Sequence, residues 1–147
     1  MDPHPFDGID LRAHPECYRI GRGEYGLFHA EPYRSELLPH WAFRTPEVAA
    51  ESIERLREQY ERYAAADDFV GMDVARKYIQ MGWTRARRYA KYPGGRKYNG
   101  DGSIKVVAEE DPVKAESARL FRVALDEVLA DERYLRAKQA WKRAVAA

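Results

Sequence analysis

The stretch DFVGMDVARKYIQMGWTRARRYAKYPGG, residues 68 to 95, decides the fold. At 100° per residue, Ala75, Ile79, Gly82, Trp83, Ala86 and Ala90 fall on one stripe. Lys77, Gln80, Thr84, Arg87, Arg88 and Lys91 fall on the opposite one. That period predicts a long amphipathic helix from Asp68 to Tyr92, stopped by Pro93-Gly94-Gly95. Gly71 and Gly82 each cost about 1 kcal/mol of helix propensity relative to alanine. Gly82 lies in the apolar stripe, which predicts a close helix contact rather than a break.

Working outward, three more helices follow from their start signals. Thr45 is an N-cap, Pro46 suits the first helical position, and Glu47 complements the macrodipole. Ala49, Ile53, Leu56, Tyr60 and Tyr63 then recur at helical spacing. Asp111 and Pro112 open a helix with Val113, Ser117, Phe121, Leu125 and Val128 inward. A last helix covers about Glu132 to Ala146, with Tyr134, Ala137, Trp141 and Ala144 inward.

Residues 1–44 lack helical period. Their pattern admits one short β-hairpin, with strands Cys17–Ile20 and Tyr25–Ala30 joined by Gly21-Arg22-Gly23-Glu24, and then an extended arm holding Pro32 and Pro39. Ile104 to Val107 is a further candidate strand. The expectation is a mainly α fold of 147 residues as one domain. It has an irregular N-terminal arm over residues 1–44 and a compact bundle of about four helices over residues 45–147.

Composition narrows the function. No apolar run nears the ~20 residues that span a bilayer, so no membrane partner is expected. The acidic, Pro-rich N-terminus MDPHPFDGID lacks the regions of a signal peptide, and the lone Cys17 fits a reducing compartment. Both point to the cytoplasm. The four histidines match no zinc spacing, and nothing in the pattern asks for a metal or another cofactor.

Charge is distributed unevenly. Val74 to Gly100 holds eight basic residues and no acid, leaving 17 basic against 24 acidic residues elsewhere. The cluster comprises Arg76, Lys77, Arg85, Arg87, Arg88, Lys91, Arg96 and Lys97, interleaved with Trp83, Tyr89, Tyr92 and Tyr98. With no acids among them, pairing along the helix is unavailable. The charge also continues past the helix end into GGRKY. Arginine beside aromatic residues holds phosphates and stacks on bases, so the leading expectation is DNA or RNA bound at Arg76, Lys77, Arg85, Arg87, Arg88, Lys91, Tyr92, Arg96, Lys97 and Tyr98. Gly94 and Gly95 would let the main chain approach a phosphate.

Three other readings stay open. Acids of neighbouring helices could neutralise the cluster internally. An acidic protein partner could cover it. An enzyme could act on a nucleic-acid or phosphorylated substrate at the same face, with Asp73, Glu24 or His40 transferring the proton. Asp73 is also placed for a local salt bridge with Arg76 and Lys77. GRGEYG, residues 21–26, matches G-x-G-x-x-G, but LFHAEPY follows it instead of a helix, so a plain turn is the expectation. Were it to contact a phosphate, Arg22 would be the useful residue.

The stretches HPECYRIGRGEYG (14–26), EPYRSELLPHW (31–41), DDFVGMDVARKYIQMGWTRARRYA (67–90), GGRKY (94–98) and DPVKAESARLF (111–121) together resemble a family of small cytoplasmic proteins catalogued as a domain of unknown function. The likeness runs over about residues 6–136. It implies an intracellular single-domain protein and carries over no activity and no catalytic residue. The loop from Asn99 to Glu110 is shorter than the family pattern.

Overall fold

Side-chain caps start three long helices of the computed structural model, which describes residues 2–105 and 109–146; two of them, Thr45 and Asp111, are the openers expected from the sequence. Thr45 Oγ1 accepts the Val48 N–H at 3.2 Å, and Asp68 Oδ1 accepts that of Gly71 at 3.0 Å. Asp111 Oδ1 accepts those of Val113 and Lys114 at 2.9 and 3.3 Å. Each satisfies N–H groups that the first helical turn leaves without partners.

Five α-helices are present among the described residues: α1 (Tyr33–Leu37), α2 (Pro46–Ala65), α3 (Phe69–Lys91), α4 (Pro112–Ala130) and α5 (Glu132–Ala146). The count exceeds the expected four because α1 forms within the arm, where an extended chain was expected. Tyr33 and Leu37, one turn apart, are both fully buried, and that pairing outweighs the prolines on either side. The expected inward positions hold except at Val113 and Ala144, which are exposed.

α3 is the central element and packs against the other four helices. α4 returns antiparallel beside it: the Asp111 N–H donates to the Ala90 carbonyl at 2.9 Å, and Gly82 lies against Phe121. A β-carbon at Gly82 would clash with carbons of the Phe121 ring, and one at Gly71 would lie 2.5 Å from the Tyr63 ring, so both glycines set the close approach of a neighbouring helix. The core runs from Phe6, Leu11 and Tyr18 in the arm, through Leu56, Tyr60 and Ile79, to Phe121, Val128 and Tyr134.

The expected hairpin over Cys17–Ala30 does not form. Gly21, Gly23 and Gly26 take positive φ (66°, 60° and 72°), which breaks any extended run. The N–H groups of Tyr25, Leu27 and His29 donate to carbonyls three residues back, as in turns. Carbonyls of the expected turn and second strand are taken by three consecutive side chains of α3. Arg76 Nη1 donates to Gly23 O (2.8 Å), Lys77 Nζ to Tyr25 O (2.7 Å) and Tyr78 Oη to Leu27 O (2.9 Å). The arm is thus a string of turns held by the central helix. In the candidate strand Ile104–Val107, Ile104 makes one antiparallel bridge with Tyr98, and Val106 and Val107 lie outside the described residues.

Candidate functional site

The polar residues of α3 form one stripe with two environments. At 100° per residue, Asp73, Arg76, Lys77, Gln80, Thr84, Arg87, Arg88 and Lys91 share an arc of roughly 120°. The arm covers the N-terminal half of that arc. The C-terminal half is bare.

In the covered half, Asp73 is fully buried and ringed by donors. Arg76 reaches Oδ1 at 2.8 Å, Tyr134 Oη donates to the same oxygen at 2.6 Å, and Tyr18 Oη donates to Oδ2. Lys77 Nζ lies 3.9 Å from Oδ2, 4.7 Å from the centre of the Tyr18 ring, and within reach of the Tyr25 and Arg19 carbonyls. Burial pushes the Lys77 ammonium down to about 8, with Asp73 opposing and Arg76 adding to the shift. Burial and the Asp73 charge hold the Tyr18 hydroxyl well above its ordinary value, and burial does the same at Tyr134. Arg76 and Lys77, expected at the phosphate face, are therefore interior groups that join the arm to the bundle.

The boundary lies at Gln80 and Thr84. Gln80 Oε1 accepts from Arg76 at 2.9 Å. The Thr84 hydroxyl lies 2.9 Å from the Gln80 carbonyl and 3.1 Å from Glu24 Oε2. The GRGEYG turn thus ends against the edge of the bare half, with Arg22 exposed beside it.

Beyond the boundary, Arg85, Arg87, Arg88, Lys91, Arg96 and Lys97 are all exposed. Among the described residues none of the six pairs with a carboxylate; on α3 the ion pairs are confined to Asp73 with Arg76 and Lys77. Elsewhere on the surface Arg12, Arg57 and Arg133 hold carboxylates on other elements. The Arg87 guanidinium instead lies 4.7 Å from the centre of the Trp83 ring, and Arg122 of α4 lies at the same distance from that ring. Arg122 also pairs with Asp126 at 3.0 Å. Tyr92 is half-buried and Tyr98 exposed, while Tyr89 leans on Phe43 with ring centres 5.4 Å apart. Gly95 gives room to the Tyr89 ring, whereas Gly94, at φ 69°, faces open space.

The three residues weighed for proton transfer are not brought together. Asp73 is in the interior, Glu24 is at the boundary, and His40 is exposed at the end of a short turn of helix over Leu38–His40. Cavities of 990 and 480 Å³ lie elsewhere, one between α5 and the start of α3, the other along the arm by Asp7 and His29. Among the described residues no group of three or more His, Cys, Asp or Glu side chains is placed to hold a metal, and no helix is long and apolar enough to cross a membrane.

Two features had no signal in the sequence. Tyr18 and Tyr134 converge on Asp73 from opposite ends of the chain, and Arg122 joins Trp83 from α4. Neither relationship has a local spacing; both require the packing of α3 against α4, α5 and the arm.

Fold and site together define a helical bundle whose central helix is cationic and bare at one end. The chain belongs to the family described as a domain of unknown function, DUF4385, whose model matches residues 2–144. No curated protein and no solved structure matches it.

Proposed function

We propose that this protein binds nucleic acid through the bare half of α3 and the loop that follows. Arg85, Arg87, Arg88, Lys91, Arg96 and Lys97 contact phosphates, with Tyr92 and Tyr98 beside them. One observation carries the reading: six exposed cations are gathered at one helix end without a carboxylate partner among the described residues. Unneutralised charge of one sign attracts a polyanion and releases its counterions. Arg76 and Lys77 support the face from beneath. The lone, exposed Cys17 is compatible with a cytoplasmic setting.

The test is a salt titration of binding to DNA and RNA. Affinity should fall steeply as salt rises, and Arg87→Glu/Arg88→Glu should weaken binding to all sequences alike, because phosphate contacts read no bases. Binding absent at low salt, or indifferent to salt, would refute the reading. An acidic protein retained after nuclease treatment would replace nucleic acid as the partner. A second reading, an enzyme acting on the same substrate, rests on Glu24, whose carboxylate meets Thr84 one turn before Arg87 and Arg88. Strand cleavage lost in Glu24→Gln with binding retained would establish it.

A further inference from the structure

Residues 96–105 turn back on themselves to make a finger whose residues 96–104 are exposed. The Lys105 N–H donates to the Lys97 carbonyl at 2.9 Å and the Asn99 N–H to that of Ser103 at 2.7 Å. Between these bonds Tyr98 and Ile104 face each other as a non-hydrogen-bonded antiparallel pair. Side chains so paired lie close together on one face of the two strands. The tip is tied by Asp101, which accepts from the Ser103 N–H and hydroxyl at 3.0 and 2.6 Å. Among the described residues, a β-carbon at Gly100 or Gly102 would meet nothing within 4 Å, so the tip is open at both glycines.

Tyr98 and Ile104 are 56% and 58% exposed, and neither packs on the hydrophobic core. Single exposed apolar residues are ordinary. Here two are set side by side on an exposed element, next to Arg96 and Lys97, with the Lys97 ammonium 5.8 Å from the centre of the Tyr98 ring. An apolar platform edged with cations fits a ligand that offers a flat apolar face and a negative charge on the same unit.

We propose that the Tyr98–Ile104 pair is a base-stacking platform, and that the ligand of the cationic face is single-stranded nucleic acid. The proposal rests on the nucleic-acid reading above and narrows it. In a duplex each base is covered on both faces by its neighbours, so a tyrosine gains little. An unpaired strand offers its phosphates to Arg85–Lys91 and turns a base onto Tyr98. Stacking of this kind tolerates any base, since every base has a flat face.

The experiment measures anisotropy of a labelled oligothymidylate and of a mixed-sequence duplex of equal length, at low salt, with the full chain. The single strand should bind at least about 10-fold more tightly than the duplex. Tyr98→Ala should weaken single-strand binding by about 5- to 100-fold and leave duplex binding unchanged, while Tyr98→Trp should retain it. The Trp variant, which keeps a stacking surface, separates loss of the platform from loss of the finger. Equal affinity for both ligands, or a Tyr98→Ala loss shared equally by both, overturns this proposal and leaves the cationic-face reading standing. No binding of either ligand by the unaltered chain overturns both.

Discussion

The ammonium of Lys77 lies 2.7 Å from the carbonyl oxygen of Tyr25, so a fully buried cation fastens the Gly-rich turn to the central helix. Burying a lysine is costly, and here the cost is offset by Asp73 at 3.9 Å and by two backbone carbonyls. This arrangement makes stability depend on pH on the alkaline side.

The unfolded chain keeps the Lys77 proton up to 10.5, whereas the folded chain releases it near 8. Between those values the unfolded state binds more protons, so stability should rise with pH, by up to about 3 kcal/mol. The buried tyrosines act in the opposite sense. Burial holds the hydroxyls of Tyr18, Tyr33, Tyr63 and Tyr134 above their ordinary 10.0, so above that pH the unfolded chain loses protons first and stability falls. Urea midpoints should therefore peak at roughly pH 9 to 10. In Lys77→Met the rise towards that peak should vanish and the fall beyond it should remain.

Asp73→Asn keeps the side chain's size and removes its charge. Arg76 and Lys77 would then share the interior without a counter-ion, and the expected loss is about 3–5 kcal/mol. Tyr134→Phe removes one donor to the same carboxylate and should cost about 1–3 kcal/mol. Denaturant titrations of both variants would establish the order, and a milder effect for Asp73→Asn than for Tyr134→Phe would contradict the geometry.

Gly82→Ala should destabilise by roughly 1–3 kcal/mol because the added methyl clashes with the Phe121 ring. Helix propensity alone favours alanine by about 1 kcal/mol. The sign of the measured change therefore decides whether packing or propensity governs this position.

Arg88→Gln and Arg76→Gln form a contrasting pair. The exposed Arg88 should be replaceable within about 0.5 kcal/mol of stability, yet its loss should lower the salt dependence of nucleic-acid binding by about one ion. Arg76→Gln should be strongly destabilising, since it strips Asp73 and the Gly23 carbonyl of a donor, and should leave the salt slope unchanged. Thermal melts and salt titrations on the two proteins would separate interior from exterior charge.

The long helices were legible because their signals are local. Thr45, Asp68 and Asp111 each cap within three residues of their partners, and the apolar stripe of α3 has a fixed period. Gly82 was legible too, since a glycine in an apolar stripe has few other uses. The arm was not. Tyr25 to Ala30 looks like a strand until Lys77 and Tyr78 are seen to take its carbonyls, and those residues lie about fifty positions away. The same distance hid the fate of Arg76 and Lys77. Helical period placed them on the polar stripe, but it could not tell that the arm would close over that part of it.

The arm works on α3 as insulation does on a wire, stripped at one end. Current, in the form of positive potential, escapes only beyond Thr84, and from Arg85 to Lys91 the conductor is about 9 Å long at 1.5 Å per residue. On the proposed function that terminal, extended past the helix end by Arg96, Lys97 and Tyr98, occupies only a short run of nucleotides. Lengthening the polymer would then add more copies of the protein side by side and would scarcely tighten the grip of each one.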